Sequence, residues 1–394
     1  MRSVKDLSLE GKTVFLRVDL NVPLENGLIR DDTRIRAVLP TLTYLLDERA
    51  RVICASHLGR PKGKFRPELS LKPVADRLAE LVVHPVRLAP AVIGPEVELL
   101  KDQLRQSEVL LLENVRFHAE EKNNDPAFAA ELARNIDIYV NDAFGACHRA
   151  HASVVGIPAQ TRESAAGFLI EKELSFLDKA VFSPIRPYVA ILGGAKVSDK
   201  IPVIRNLLKK SDTLLIGGAM AYTFLSALGL GVGRSLVEED KKEMALDLLS
   251  MAAEQGTVII LPLDHVCAAA IDSDGDVSVH SELPFPENLM ALDIGPATVI
   301  EFSRVIQNAG MILWNGPMGV FEMDRFARGT IEVARAVAGS RAVSIVGGGD
   351  SVAAVAKAGV SGQISHISTG GGASLEYIAN ETLPGLEALK TKED

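Results

Sequence analysis

The stretch that most restricts how this chain can fold covers residues 343–359 and reads VSIVGGGDSVAAVAKAG. It predicts a buried strand over residues 343–346, which passes through three glycines directly into a helix rich in alanine and valine. Glycine has no Cβ, and the first turn of a helix has no intrahelical acceptors, so several backbone N–H groups are left accessible at such a turn. The stretch therefore predicts an α/β unit with an anion site at the start of the helix.

Asp350 and Ser351 open this helix, and the carboxylate changes what the site is expected to bind. A negative side chain would repel a bare phosphate. Its presence indicates that the anion arrives with a divalent cation, as Mg²⁺ does beside nucleotide phosphates. The alternative is an ordinary helix cap on a tight turn. This turn alone leaves both interpretations open.

Length and composition predict a globular protein with two or three domains, and two is the better guess for an α/β protein. A chain of 394 residues is too long for one hydrophobic core. Its 47% of hydrophobic and 24% of charged residues are the usual globular balance. The net charge of −9 argues against general binding to nucleic acid or to a membrane surface. A site for an anionic substrate must therefore carry its own positive charge.

The cysteines and the first residues predict a cytoplasmic location. Cys54, Cys147 and Cys267 lie far apart and lack CxxC spacing, so neither a disulfide framework nor a zinc site is indicated. The first twenty residues lack an apolar stretch with a cleavage site. No run approaches the roughly 18 apolar residues that a membrane span requires. We expect a soluble, unexported chain.

Arginines follow the predicted strands of the first half of the chain. These strands cover residues 13–18, 51–55, 108–112 and 136–140. Arg60, Arg116 and Arg149 each come after one of them, and Arg36 lies in the first turn of a helix that is predicted to begin at Thr33. Parallel strands place their carboxyl ends along one edge of a sheet. The four arginines therefore predict a pocket for a polyanion.

Other polar residues of this half are further candidates, and some of them have two interpretations. Asp19 and Asn21 follow the first strand, where open α/β sheets bind ligands. Arg34 fits an anion site and a solvated helix turn equally well. His148 and His151 fit packed or hydrogen-bonded side chains better than metal ligands, because no third ligand stands at a suitable spacing.

A long helix followed by two prolines predicts the boundary between the domains. Residues 168–180 have helical periodicity and lead into the prolines of residues 183–187. We expect an N-terminal domain over residues 1–170, a connecting helix and linker over 171–186, and a C-terminal domain over 187–379. Each domain is expected to be a Rossmann-like, three-layer α/β unit with a mainly parallel sheet, and the connecting helix is expected to act with a hinge.

Paired glycines follow two successive strands of the second half. They are Gly193 with Gly194, and Gly217 with Gly218. Glycine lets a flat ring lie against the backbone, which is how proteins often bind adenine or nicotinamide. These pairs predict a nucleotide site.

Two lysines and a long turn add to this site. Lys196 and Lys200 are one helical turn apart and are expected to face the same side. Their charges repel unless an anion lies between them, and a solvated helix face is the alternative. Asn315 and Glu322 occupy a turn after another strand, where they could bind sugar hydroxyls or simply stabilise the turn.

Together the two halves predict transfer of a phosphoryl group between a small anion and a nucleotide. The chain has neither the GxxxxGK[ST] motif of P-loop enzymes nor the HRD motif of protein kinases. A nicotinamide-dependent dehydrogenase would need GxGxxG after an early strand and an acid about 20 residues further on, which we do not find. A non-catalytic anion-binding protein would leave the paired lysines and Asp350 unexplained.

Eight motifs resemble those of the phosphoglycerate kinase family, in the family's order and across essentially the whole chain. They are RVDLNVPL, SHLGRP, LENVRF, CHRAHAS, GGAKVSDK, WNGPMGVFE, GGGDS and STGGGAS. The resemblance implies reversible phosphoryl transfer from 1,3-bisphosphoglycerate to MgADP, giving 3-phosphoglycerate and MgATP, in glycolysis and gluconeogenesis. It also implies a monomer whose ligands are these substrates and Mg²⁺.

The resemblance assigns site residues as well. It places the phosphoglycerate site at Asp19, Leu20, Asn21, Arg36, His57, Leu58, Gly59, Arg60, Arg116 and Arg149. It places the nucleotide site at Gly193, Gly194, Lys196, Lys200, Gly217, Gly218, Ala291, Asn315, Glu322, Gly348, Gly349, Asp350 and Ser351, with Asp350 on the metal. The catalytic residues it implies are Arg36, Lys196, Lys200, Gly371 and Gly372.

The chain departs from the family's pattern at three positions. Leu20 stands where phenylalanine is usual, Ser351 where threonine is common, and Ala291 where a glycine usually touches the base. Only the last is expected to affect nucleotide affinity. The resemblance further implies that residues of about 380–394 pack on the N-terminal domain, and that hinge closure joins the substrates and excludes water.

Overall fold

The computed structural model describes residues 1–272 and 275–390, which form two compact units. The first unit comprises residues 1–175 together with the residues from Thr382 onward, and the second comprises Phe176–Glu381. The division falls inside the segment 171–186 that was expected to connect the domains. Residues 391–394 of the expected C-terminal tail lie outside the described residues. In the described part of the chain, no helix combines the length and the apolar character needed to cross a membrane.

A six-stranded parallel sheet forms the centre of the first unit. The strands of this unit are β1 (Thr13–Val18), β2 (Leu24–Glu25), β3 (Leu28–Ile29), β4 (Arg51–Ala55), β5 (Val86–Leu88), β6 (Val109–Leu111), β7 (Ile138–Asp142) and β8 (Glu163–Ala166). Strands β2 and β3 pair only with each other, in antiparallel fashion. The other six lie in the order β5, β6, β4, β1, β7, β8, with every neighbouring pair parallel.

Helices connect these strands and pack on them. They are α1 (Thr33–Asp47), α2 (Lys72–Leu81), α3 (Pro95–Asp102), α4 (Ala119–Lys122), α5 (Pro126–Leu132) and α6 (Phe168–Phe182), the last crossing the division between the units. The central strand β1 is buried along its whole length. Its residues Val14, Leu16 and Val18 share one core with Val38 and Leu42 of α1. This burial on both faces is typical of parallel sheets.

The second unit contains two sheets. Its strands are β9 (Tyr188–Leu192), β10 (Thr213–Ile216), β11 (Val258–Ile260), β12 (His265–Ala268), β13 (Ser278–His280), β14 (Met290–Ile294), β15 (Met311–Asn315), β16 (Val343–Gly347) and β17 (His366–Ile367). A parallel sheet has the order β11, β10, β9, β15, β16, β17. A smaller antiparallel sheet has the order β13, β12, β14 and was not predicted.

The helices of the second unit follow the same alternation. They are α7 (Ile201–Leu207), α8 (Met220–Ala227), α9 (Lys242–Gln255), α10 (Pro296–Gln307), α11 (Arg328–Gly339), α12 (Gly349–Lys357) and α13 (Gly372–Asn380). The last helix, α14 (Pro384–Glu387), belongs to the first unit. There the N–H of Gly385 donates to the carbonyl of Cys147 at 2.8 Å.

The prediction of two α/β units with mainly parallel sheets is confirmed. The strand predicted over residues 136–140 lies two residues later, so that Asn141 and Asp142 end β7 rather than begin a loop. The reason is strand pairing, because Asn141 and Asp142 continue the ladder with Arg17 and Val18 of β1. The Asp142 carboxylate also accepts the N–H of Leu169 in α6 at 2.8 Å.

The expectation that Lys196 and Lys200 share a helical face is wrong. A 3₁₀ turn covers Ser198–Lys200, and helix α7 begins only at Ile201, with Pro202 in its first turn. Proline favours the first helical turn because its missing N–H costs nothing there. Lys196 therefore lies on a loop, which we call the lysine loop and define as residues 193–200.

Candidate active site

The carboxyl ends of four neighbouring parallel strands carry the polar residues of the first unit. Strands β6, β4, β1 and β7 are adjacent in the sheet and run in the same direction. Arg116, Arg60, Asp19 and Arg149 follow them in turn. Arg116 is buried, Arg149 is half-buried and Arg60 is exposed. The structure thus brings these predicted site residues to one edge of the sheet, which we call the arginine edge.

Hydrogen bonds tie the loops of the arginine edge together. The side chain of Asn21 accepts the N–H of Gly59 at 2.8 Å, and Arg116 Nη1 donates to the Gly59 carbonyl at 2.9 Å. Gly59 has a φ of +60°, and a Cβ there would lie 2.7 Å from Leu69 Cδ2. The positive φ favours glycine at this position, and its backbone joins the loops that follow β1, β4 and β6.

Asp19 is held ionised among basic side chains. Arg34 Nη1 donates to its Oδ2, and His57 Nε2 lies 3.9 Å from its Oδ1. Burial raises the pKa of Asp19, but the positive charges of Arg34 and Arg17 and the N–H of Asn21 bring it below the ordinary value. Burial also lowers the pKa of His57 well below its ordinary value, so the imidazole is neutral at pH 7. The pairing with Asp19 gives Arg34 a structural role that sequence reasoning left open.

Arg17 lies beneath this edge and was missed by the sequence analysis. It is fully buried in β1, its Nε donates to Ser153 Oγ at 2.8 Å, and its Nη2 lies 3.3 Å from His57 Nδ1. Ser153 in turn donates from its N–H and its hydroxyl to Glu121, at 2.9 and 2.6 Å. Glu121 is a fully buried carboxylate. An arginine inside the otherwise apolar run TVFLRV was the available signal.

The arginines of this edge repel one another. Burial, together with the neighbouring charges of Arg17 and Arg149, lowers the pKa of Arg116 to about 10. An anion bound among them would relieve that repulsion. The site is therefore electrostatically prepared for a negatively charged ligand.

Three further predicted residues differ in exposure. Arg36 lies exposed in the first turn of α1, where its Nε donates to Asp32 Oδ1 at 2.9 Å. Asp32 also explains why a cation is tolerated at this helix start. Leu20 and Leu58 are buried, so their side chains pack in the interior rather than face a ligand.

A cavity of about 340 Å³ in the second unit contains part of the predicted nucleotide site. Of the predicted residues, Gly194, Gly218, Ala291, Glu322 and Asp350 line it. Tyr222, Leu236, Ile271 and Met318 also line it and were not predicted. Its walls are mainly apolar with three carboxylates, those of Asp293, Glu322 and Asp350, which suits a flat base with a charged group attached.

The other members of the two glycine pairs, Gly193 and Gly217, lie against the turn at Pro317 and Met318. A Cβ on Gly193 would lie 2.0 Å from the Pro317 carbonyl oxygen, and one on Gly217 would lie 2.4 Å from Met318 Sδ. Neither residue lines the cavity. Their small size instead lets the turn at Pro317 and Met318 approach the ends of β9 and β10.

Lys200 is joined to the turn after β15. Its Nζ donates to the Asn315 carbonyl at 2.9 Å and to the Asn315 side chain, whose Nδ2 donates to the Gly347 carbonyl at 2.8 Å. Burial lowers the pKa of Lys200 to about 8, partly opposed by Asp350 and Asp199. Lys196 is exposed on the same loop.

Helices α12 and α13 of the second unit begin with glycine, after strands β16 and β17 of the parallel sheet. Gly348 precedes α12 with a φ of +90°, and Gly371 precedes α13 with a φ of +55°. A Cβ built on Gly349, Gly371 or Gly372 would meet no atom within 4 Å. The first-turn N–H groups of both helices are therefore accessible to an anion. Ser351 is buried and accepts the N–H of Gly316 through its hydroxyl oxygen, so it fixes the turn.

The residues present fit one magnesium ion held with phosphates. Asp350 lines the cavity in the first turn of α12. Mg²⁺ is commonly held by one or two carboxylates together with substrate phosphates and water. Over the described ranges 1–272 and 275–390, no group of three or more His, Cys, Asp or Glu is arranged to hold a metal ion. A cation that arrives with a nucleotide does not need such a group.

Comparisons with known proteins agree along nearly the whole chain. The family model described as "Phosphoglycerate kinase" matches residues 4–381. A protein of that name from Moorella thermoacetica is 56% identical over 390 residues, which is 99% of each chain. One from Solibacter usitatus is 57% identical over 392 residues, which is 98% of each chain. A solved structure of phosphoglycerate kinase from Coxiella burnetii superposes with a TM-score of 0.89 at 40% identity and covers 98% of both chains.

Proposed function

Because the chain belongs to the phosphoglycerate kinase family, we propose that it transfers a phosphoryl group reversibly from 1,3-bisphosphoglycerate to MgADP, yielding 3-phosphoglycerate and MgATP. Members of this family are glycolytic kinases, that is, transferases acting on a carboxyl group. The family match favours neither a nicotinamide-dependent dehydrogenase nor a non-catalytic binding protein.

The observation that carries the assignment of substrates is the arginine edge. The positive charges of Arg17 and Arg149 act against that of Arg116. This repulsion favours the binding of a multiply charged anion. We assign phosphoglycerate to this edge. Asp19 and Asn21 hold the loops of the edge in place, and we assign them to the hydroxyl groups of the substrate. The nucleotide is assigned to the cavity beside Asp350 in the second unit.

The side chains of the site supply positive charge, and none of them needs to act as a general base. In the direction that consumes ATP the nucleophile is a carboxylate, which is already ionised at neutral pH. We assign Arg36 and Lys196 to the transferring phosphoryl group and Lys200 to a nucleotide phosphate. The N–H groups at Gly371 and Gly372 would donate to the same phosphoryl oxygens. Mg²⁺, when bound at Asp350 with the nucleotide, supplies further positive charge.

The test of this function is direct turnover. The purified chain should form ATP from ADP and 1,3-bisphosphoglycerate, and it should require a divalent cation. Chelation of magnesium should abolish the activity, and added Mg²⁺ should restore it. A purified, folded chain that forms no ATP under these conditions would contradict the proposal.

We further propose that the two units close on each other when both substrates are bound. An acyl phosphate is readily hydrolysed, so the transfer requires that water be excluded. Small-angle scattering should show a smaller radius of gyration with 3-phosphoglycerate and a non-hydrolysable MgATP analogue together than with either alone. Identical profiles for all these states would contradict closure.

The pKa of Lys200 predicts how nucleotide affinity depends on pH. Since burial lowers this pKa to about 8, the ammonium group loses its proton as the pH rises through 8. The neutral amine attracts a phosphate less, so MgADP affinity should fall above pH 8 and be constant between pH 6 and 7. Titration calorimetry at several pH values measures this fall. The variant Lys200→Arg, whose guanidinium stays charged, should bind with a flatter profile.

A further inference from the structure

The segment 235–238 connects the cavity of the second unit to the lysine loop. Leu236 lines the cavity. Ser235 Oγ accepts the N–H of Ala291, another lining residue, at 3.1 Å. Two residues further on, Glu238 reaches the lysine loop. The segment therefore touches both parts of the nucleotide site.

Glu238 holds the middle of the lysine loop by its backbone. Its Oε2 accepts the N–H of Ser198 at 3.0 Å, and its Oε1 accepts the Ser198 hydroxyl. Burial raises the pKa of Glu238, but the bonds from Ser198 and from the N–H of Val197, with the charge of Lys196, lower it below the ordinary value. The carboxylate is therefore ionised and binds successive N–H groups next to Lys196.

The backbone of Glu238 is itself held in place by a hydrogen bond. Its N–H donates to Thr223 Oγ1 at 3.1 Å, and Thr223 is buried in α8. The lysine loop, by contrast, has only a three-residue 3₁₀ turn before α7, and Lys196 is exposed on it. A carboxylate anchored to a buried helix can thus set the path of a loop that has little regular structure of its own.

We propose that Glu238 is a positioning residue, which fixes the lysine loop so that Lys196 and Lys200 meet the phosphates together; this role rests on the phosphoryl transfer proposed above. It acts through the backbone at Val197 and Ser198 and does not touch the substrate. The ordinary alternative is a surface carboxylate without influence on turnover. The next residue, Glu239, is such a carboxylate, because it is exposed and pairs with Lys242 three residues along.

The experiment compares Glu238→Gln with Glu239→Gln, which removes the same charge one residue away. Glutamine keeps one acceptor but presents an NH₂ group to the loop, so one of the contacts is lost. We expect kcat of Glu238→Gln to fall on the order of 10-fold, since small displacements of charged groups are costly in phosphoryl transfer. The KM for 3-phosphoglycerate and the midpoint of thermal unfolding should stay at the wild-type values. Glu239→Gln should behave as wild type in every assay.

Two further variants separate positioning from a general structural effect. Ser198→Ala removes the hydroxyl group that donates to Glu238, and it should also lower kcat. This test does not depend on whether Glu238→Gln folds well. In a Lys196→Ala background, Glu238→Gln should cause a smaller fold-loss than in wild type, because the two residues act as a unit.

The outcomes distinguish this inference from the function on which it rests. Full activity of Glu238→Gln, or equal fold-losses in the wild-type and Lys196→Ala backgrounds, would overturn the role of Glu238 while leaving the kinase activity intact. A wild-type chain without turnover would overturn the proposed function, and the role of Glu238 with it.

Discussion

Arg36→Ala should lower kcat by about 10²- to 10³-fold, the range expected when one charge contact to a transition state is removed. Arg36 is exposed in the first turn of α1 and makes its hydrogen bond to Asp32. Loss of an exposed ion pair costs stability little, so the fold should survive. MgADP affinity should be nearly unchanged, because the nucleotide is assigned to the second unit. Steady-state kinetics and calorimetry measure the two quantities.

The matched control is Arg134→Ala in the same unit. Arg134 is also exposed and pairs with Glu131 three residues before it, but it lies away from the strand ends of the arginine edge. This variant should retain wild-type turnover. If the two variants lose activity equally, the loss would reflect net charge, and the catalytic assignment of Arg36 would be wrong.

Trp314→Ala should destabilise the second unit by about 3–5 kcal/mol, as large-to-small changes of buried aromatic residues do. Trp314 is fully buried in β15, where it packs in the same core as Phe302, Met318 and Val346. Its indole N–H donates to the Gly316 carbonyl at 2.8 Å. Because the chain has only one tryptophan, unfolding should be followed by circular dichroism rather than by fluorescence.

Trp314→Phe separates the two contributions of the indole. It keeps most of the buried ring and loses only the bond to Gly316, which is expected to cost roughly 1–2 kcal/mol with some loss of packing. Its denaturation midpoint should therefore lie between those of wild type and Trp314→Ala. An alanine variant that unfolds at the wild-type midpoint would show that this core tolerates a large cavity.

The sequence predicted the alternation of strands and helices well, because both leave strong local signals. Strands such as β9 and β10 are continuous runs of β-branched and apolar residues, and paired glycines follow each of them as predicted. The arginine edge followed from the same pattern, since residues after parallel strands must share an edge.

Features that depend on contacts distant in sequence were not predictable. The antiparallel sheet of β12, β13 and β14 consists of strands of three to five residues, which are too short for a clear alternation. It nevertheless places Ala291 in the wall of the cavity beside Asp350. The buried position of Arg17 depends on its hydrogen bond to Ser153, which is bonded in turn to Glu121. Both residues lie more than a hundred positions further along the sequence. The proline at the start of α7, which separates Lys196 from the helix, was visible but was not used.

The residues from Thr382 to Lys390 return to the first unit, with Leu383 and Leu389 buried and Gly385 bonded to Cys147. The second unit is therefore one uninterrupted stretch of chain, whereas the first is assembled from two stretches that flank it. During translation the second unit can complete its own contacts as soon as its last residue emerges from the ribosome. The arginine edge belongs to the unit that must wait, so a nascent chain would form the cavity beside Asp350 before the arginine edge is fully supported.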